Sequence, residues 1–232
     1  MNWYAQDSAG MAISLREAWT GLVDAGDYER HMAAVGQAQA NAEMVAGVLR
    51  SYPPPAGAAV WFAGAGTGQL FEFLDPSFLL PWRIVFSDIN RGYLERLAAR
   101  VKRAERVRFL AVVDDIERCG LRGGFPLVIA VLLLEQVDWR AAAATLARLS
   151  TSRVFIGIQE NPPDLSSALT RPVKDSMAVF RDARPRLIQR DELAREFDLL
   201  GFGVRQVVEK PVADGKKMVG ILFERKSGAP QP

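Results

Sequence analysis

Three glycines on alternate positions, Gly64, Gly66 and Gly68, stand in Gly64-Ala65-Gly66-Thr67-Gly68, directly after the β-branched and aromatic run Val60-Trp61-Phe62-Ala63. Glycine admits left-handed and crowded backbone and lets a ligand approach the main chain. The chemistry such a loop offers is the binding of a polar or anionic ligand end. Leu70, Phe73 and Leu74 follow at helical spacing and predict a helix whose first N–H groups would add to the same site. The plainer reading is a turn that only permits tight strand–helix packing. A dinucleotide fingerprint needs glycine at the first, third and sixth positions, and here Gln69 holds the sixth. No Gly-Lys-Ser/Thr follows, so a phosphate loop of the nucleotide-triphosphatase kind is excluded.

Acids follow at the ends of two further apolar runs. Asp88 closes Trp82-Arg83-Ile84-Val85-Phe86-Ser87, about twenty residues beyond the glycines, where a carboxylate can accept hydrogen bonds from ribose hydroxyls. Its ordinary alternative is a turn or helix-capping Asp. Asp114 and Asp115 follow Val107 to Val113, and neighbours in extended chain point apart with no third hard ligand evident, so no metal is expected. Glu135 and Gln136 end the apolar run from Leu127, at what would be the carboxyl edge of the sheet, or else begin the next helix. His31, the only histidine, is a possible general base or substrate ligand, with Gln37 and Asn41 on the same helix, though a hydrogen-bonded surface histidine fits as well. His31, Gln37, Gln136 and Trp139 are the substrate-pocket candidates, and His31, Glu135 and Gln136 the candidates for catalysis.

These residues need an alternating array of strands and helices to bring them together. Helices are expected over 9–23 and 27–50, the second capped by Asp27 and ended by Pro53-Pro54-Pro55. Strands are expected near 59–63, 82–88, 107–113, 127–134 and 153–159, with helices over 93–104 and 141–149 between them. A helix from Arg190, capped by Asp191, precedes strands 204–212 and 217–223 around Asp214-Gly215, a hairpin signal.

A glycine loop after the first strand, acids after the second and third, and a terminal hairpin, in that order over roughly 55–225, resemble the class I S-adenosylmethionine-dependent methyltransferases, small-molecule type. The resemblance implies an α/β, Rossmann-like doubly wound sheet of seven strands, mostly parallel with an antiparallel C-terminal hairpin and helices on both faces. It implies S-adenosyl-L-methionine as cofactor, held by Ala63, Gly64, Ala65, Gly66, Gly68, Asp88, Ile89, Asp115, Ile116 and Val131. Asp115 would meet the adenine amino group and the Ile116 backbone N–H a ring nitrogen, with Asp114 the fallback. Residues 1–52 would form a helical extension over the pocket, 53–226 the cofactor-binding domain, and 227–232 a disordered tail. Two departures stand out: Phe62 occupies the place of an acid two residues before the first glycine, and Gln136 stands where a histidine is common. Asn161-Pro162-Pro163-Asp164 resembles the base-modifying loop of nucleic-acid amino-methyltransferases, but follows the fifth strand and carries Asp164 in place of the stacking aromatic. It reads as a rigid loop, and 162–186 as a substrate lid.

The whole chain sets the remaining bounds. With 232 residues and 49% hydrophobic content it can bury one sizeable core. A net charge of +2 advertises neither nucleic acid nor a membrane surface, and the basic cluster from Arg96 to Arg108 suits a solvated helix face. One Cys and one His give no zinc signature. No secretory signal and no span long enough for a bilayer are evident, so a cytoplasmic protein is expected. The expected function is methyl transfer to a small molecule. A non-catalytic cofactor-binding protein and a methyltransferase acting on RNA or protein are the alternatives, and apolar surface on the first helices leaves a homodimer open.

Overall fold

The core of the protein is a seven-stranded sheet in the order β3-β2-β1-β4-β5-β7-β6. The computed structural model describes residues 13–104, 106–164, 175–181 and 185–228. Its strands are β1 Ala59–Ala63, β2 Arg83–Asp88, β3 Arg108–Val113, β4 Phe125–Val131, β5 Ser150–Glu160, β6 Phe202–Pro211 and β7 Lys217–Arg225. The first five run parallel; β7 pairs antiparallel with β5 and β6 antiparallel with β7. This is the doubly wound sheet with a C-terminal antiparallel hairpin that the sequence led us to expect.

Helices α1 Ala25–Val35, α2 Gln37–Ser51, α3 Arg91–Val101, α4 Trp139–Leu149 and α5 Arg190–Leu199 cover it. The period-2 alternation of β1 shows why both faces need covering. Trp61 and Ala63 point into the core under α4 and α5, with Leu146, Leu193 and Phe197. Val60 and Phe62 point into the core under α2 and α3, with Val45, Leu94 and Leu97.

Several local expectations are corrected. The helix expected over 27–50 is two helices, because Gly36 sits between them at φ +70°. Asp24, not Asp27, caps α1, accepting from the Gly26 and Asp27 N–H groups. Asp27 is turned to Ser176, whose N–H and hydroxyl both reach its Oδ2 at 2.9 and 2.5 Å. The glycine loop is not followed by an α-helix. It passes into 3₁₀ turns at Gln69–Glu72 and Pro76–Phe78, since Gly68 begins the first in left-handed conformation and Asp75-Pro76 breaks the chain again. β4 stops at Val131, where Leu132 turns to φ +56°. Asp191 makes no cap, because it lies inside α5, which starts at Arg190 behind Gln189. The helix expected over 9–23 is described from its later part as Leu15–Glu17, opened by a Ser14/Glu17 capping box and continuing into a π-helical turn Ala18–Leu22. Its earlier part, residues 165–174 and 182–184 of the expected lid, and 229–232 of the expected tail lie outside the described residues. Among the described residues no helix is long and apolar enough to cross a membrane.

Candidate functional site

Strand order reverses between β1 and β4, and in open α/β sheets the crevice at that switch point, beyond the carboxyl ends of the strands, is where ligands bind. A cavity of about 1330 Å³, counted to its open mouth, lies there. Gly64 and Gly66 line it, at φ +61° and +57°, conformations that a residue with a Cβ would hold only under strain. A Cβ on Gly64 would also lie 2.6 Å from Leu133 Cδ1, so that leucine closes over the loop because the glycine leaves room. Arg100 fixes the loop from behind, its guanidinium donating to the Thr67 carbonyl and, at 2.7 Å, to Glu72.

Asp88 lies at the end of β2 and lines the same cavity. Its Oδ2 accepts from the Gly66 N–H at 2.8 Å and its Oδ1 from the Asn90 N–H at 2.9 Å, so one carboxylate braces the loop against the next strand. Burial raises its pKa, against the lowering effect of the backbone N–H groups of Asn90, Gly66 and Ile89. Of its two ordinary alternatives, the helix cap belongs to Asn90, which accepts from the Tyr93 N–H at 3.2 Å, while the turn is present, since the Asn90 N–H two residues on donates to Asp88 Oδ1. Ile89, Asp114, Asp115, Ile116 and Val131 line the cavity as well. Asp115 is already engaged: Oδ2 takes Arg16 Nε at 2.9 Å, and Oδ1 takes the Glu117 N–H at 3.1 Å.

The remaining candidates divide. His31, Gln37, Glu135 and Gln136 line the cavity, drawn from α1, α2 and the turn after β4. Ala63, Ala65 and Gly68 do not line it; they face a smaller adjoining space with Gly64 and Gly66. Gly68 is also a packing glycine, since a Cβ there would lie 2.8 Å from Leu97 of α3. Trp139 is corrected: it is buried in the core under α4, because Asp138 caps that helix and sets its first residue against the sheet.

Glu135 is 2% exposed. Its Oε1 accepts from the Gln159 N–H at 2.9 Å, while Oε2 is buried with no partner among the described residues. Burial pushes its pKa up to about 7, against the lowering effect of that N–H. Gln37 Nε2 donates to Gln159 Oε1 at 2.6 Å, which ties α2 to the end of β5 beside it. Gln136 Oε1 is taken by the Trp19 indole N–H at 2.9 Å.

Sequence reading missed an aromatic cover. Trp19 meets Tyr28 edge-on with centroids 5.5 Å apart, Tyr28 stacks on Tyr93 at 5.6 Å, and Phe180 lies 4.8 Å from Trp19. All four line the cavity. Burial raises the pKa of both phenols, and Tyr93 donates its O–H to the Val23 carbonyl at 3.1 Å. The resemblance places residues 1–52 over the pocket, but nothing in the sequence singles out Trp19 within them or joins it to Tyr93 and Phe180. Gln159 and Lys216, also in the lining, carried no signal at all.

No family model matches the sequence, and no curated protein matches it. Solved structures share its fold. Magnesium protoporphyrin IX methyltransferase from Synechocystis PCC 6803, with S-adenosylhomocysteine bound, superposes with a TM-score of 0.64 at 15% identity over 81% of this chain and 83% of that one. The YcgJ protein of Bacillus subtilis matches at 0.58 and 13% identity, over 80% and 99% of the two chains. Geranyl diphosphate methyltransferase, in complex with its diphosphate and sinefungin, matches at 0.57 and 14% identity, over 78% and 77%.

Proposed function

We propose that the protein is an S-adenosylmethionine-dependent methyltransferase acting on a small molecule. The observation that carries this is the convergence of Gly64, Gly66, Asp88, Ile89, Asp115, Ile116 and Val131, from four different strand ends, on one cavity at the switch point. The fold shared with methyltransferases solved with S-adenosylhomocysteine or sinefungin supports the same reading.

The residues fit the cofactor by their chemistry. The glycine loop admits an amino-acid moiety against bare main chain, Asp88 presents carboxylate lone pairs to ribose, and Asp115 with the Ile116 backbone suits adenine. The cofactor, when bound, supplies a methyl group on a sulfonium that is already an activated leaving group. Trp19, Tyr28, Tyr93 and Phe180 exclude water from the site, and His31, Gln37 and Glu135 orient the acceptor, so alignment and desolvation carry most of the work. Glu135 Oε2 is the atom on which a proton released by an acceptor would be held, since a carboxyl near neutrality exchanges protons readily. In this reading residues 1–52 cover the pocket, 53–226 bind the cofactor, and the protein is cytoplasmic.

Isothermal titration with S-adenosylhomocysteine tests the cofactor reading: saturable binding is expected, and no heat at millimolar ligand refutes it. A second reading, cofactor binding without turnover, is favoured by the indole that occupies Gln136. It predicts the same titration but no methyl transfer across a broad acceptor library.

A further inference from the structure

The cover of the cavity is made of two pieces from distant parts of the chain. Trp19, Tyr28 and Met32 come from the amino-terminal segment, and Met177 and Phe180 from the 3₁₀ turn Asp175–Arg181. The first piece is fastened to the body of the protein. Asn90 Nδ2 donates to the Trp19 carbonyl at 2.9 Å, Trp19 Nε1 to Gln136, and Gln69 Nε2 to the Glu29 carbonyl at 3.0 Å. The second piece rests mainly on the first. Met177 and Phe180 pack in a small cluster with Ala18, Val23 and Tyr93, apart from the two cores that flank the sheet.

The polar contacts between the two pieces converge on Ser176. Its Oγ accepts from the Asp24 N–H at 2.9 Å, and its own N–H and O–H both donate to Asp27 Oδ2. Ser176 therefore sits on the first turn of α1, whose N-cap is Asp24. Arg30 also meets Asp175 at 3.7 Å, but both side chains are exposed and such a pair adds little. Asp175 is at φ +53°, a left-handed conformation that a residue with a Cβ holds at a cost. A turn that buries only Met177 and Phe180, and that starts from a strained residue, can open while the sheet stays closed.

We propose that Ser176 is a clasp: its bonds to Asp24 and Asp27 hold Met177 and Phe180 over the cavity, and their breaking sets how fast a bound ligand leaves. Neither Ser176 nor Asp27 lines the cavity, so both are positioning residues that act through the side chains of the turn. The hydroxyl is essential to this role, because it accepts from one partner and donates to the other, which threonine can do and alanine cannot. For its ligand the inference rests on the methyltransferase reading.

The test measures release of S-adenosylhomocysteine by surface plasmon resonance in the wild type, Ser176→Ala and Ser176→Thr, with hydrogen exchange of the ligand-free chains alongside. Ser176→Ala loses one hydrogen bond to a carboxylate and one from a backbone N–H, so release should quicken roughly 10- to 100-fold. Amides of the 175–181 turn should exchange faster, while those of the strands stay as in the wild type, which shows that the variant is folded. Ser176→Thr should restore both. Unchanged release in Ser176→Ala, or an equal rise in Ser176→Thr, overturns the proposal and leaves the methyltransferase reading intact. Failure of the wild type to bind overturns that reading instead; exchange of the turn then decides the clasp, and no change there in Ser176→Ala overturns it too.

Discussion

Replacing Glu135 by Gln removes a titration that the fold has displaced, and the effect has a definite sign. The side chain is 2% exposed, and its pKa lies at about 7 in the folded chain against 4.5 for the free group. The folded state therefore holds a proton that the unfolded chain has lost across the window from 4.5 to about 7. A group raised in this way stabilises the fold fully below the lower value, and its contribution is lost as pH rises through the upper one. Between pH ~5.5 and ~8.5 the loss from this residue amounts to about 2 kcal/mol, from 1.36 kcal/mol per pKa unit over the part of the window crossed. Glutamine is isosteric and does not titrate, so Glu135→Gln should become more stable relative to wild type by about 2 kcal/mol over that range. Urea unfolding of both proteins at the two pH values reads the difference directly, and other titrating groups cancel. Parallel pH dependence of the two midpoints would show that Glu135 is ionised and solvated in the folded state, and the argument for a proton-holding carboxyl would go with it.

Three further outcomes follow from the same geometry. Asp88→Ala takes the acceptor from the Gly66 and Asn90 N–H groups, and calorimetry should show S-adenosylhomocysteine binding weakened at least roughly 100-fold, as expected when a hydrogen-bonded charged group is lost; unchanged affinity would remove Asp88 from the site. Gly68→Ala puts a Cβ at φ +74° and 2.8 Å from Leu97, so the urea midpoint should fall by an amount equivalent to about 2–4 kcal/mol, from left-handed strain and overpacking together. Tyr93→Phe strips the Val23 carbonyl of its buried donor and should destabilise by about 1–2 kcal/mol in the same assay.

How much of this was written in the sequence depends on the range of the interaction concerned. The seven strands, their order of appearance and the terminal hairpin were legible because apolar periodicity and turn residues are local. The glycine loop and Asp88 were legible because strand topology brings them together wherever a first parallel pair forms. The break at Gly36 was not, since one glycine inside a helical pattern is usually tolerated and only its left-handed geometry ends α1. The helix expected after Gly68 fails for a related reason, because left-handed backbone and then Asp75-Pro76 override the apolar spacing of Leu70, Phe73 and Leu74.

The pocket's character was the least legible part, and it comes from segments far apart in the chain. Trp19 reaches Gln136, Arg16 reaches Asp115, and Gln37 reaches Gln159, each across about a hundred residues. No periodicity reports such pairs. A polar residue in the sequence looks alike whether its oxygen meets water, a neighbour or nothing, and only the fold tells these apart. Glu135 Oε2 and the oxygens of Asn41, Thr67 and Gln69 are buried without donors among the described residues. Residues with such atoms line the cavities beside the glycine loop, Glu135 and Asp114 the larger and Asn41, Thr67 and Gln69 the smaller, but Trp82, Trp139, Arg153 and Arg225 carry them elsewhere, so the glycine loop and the acids at the strand ends, not these atoms, carry the argument for ligand binding.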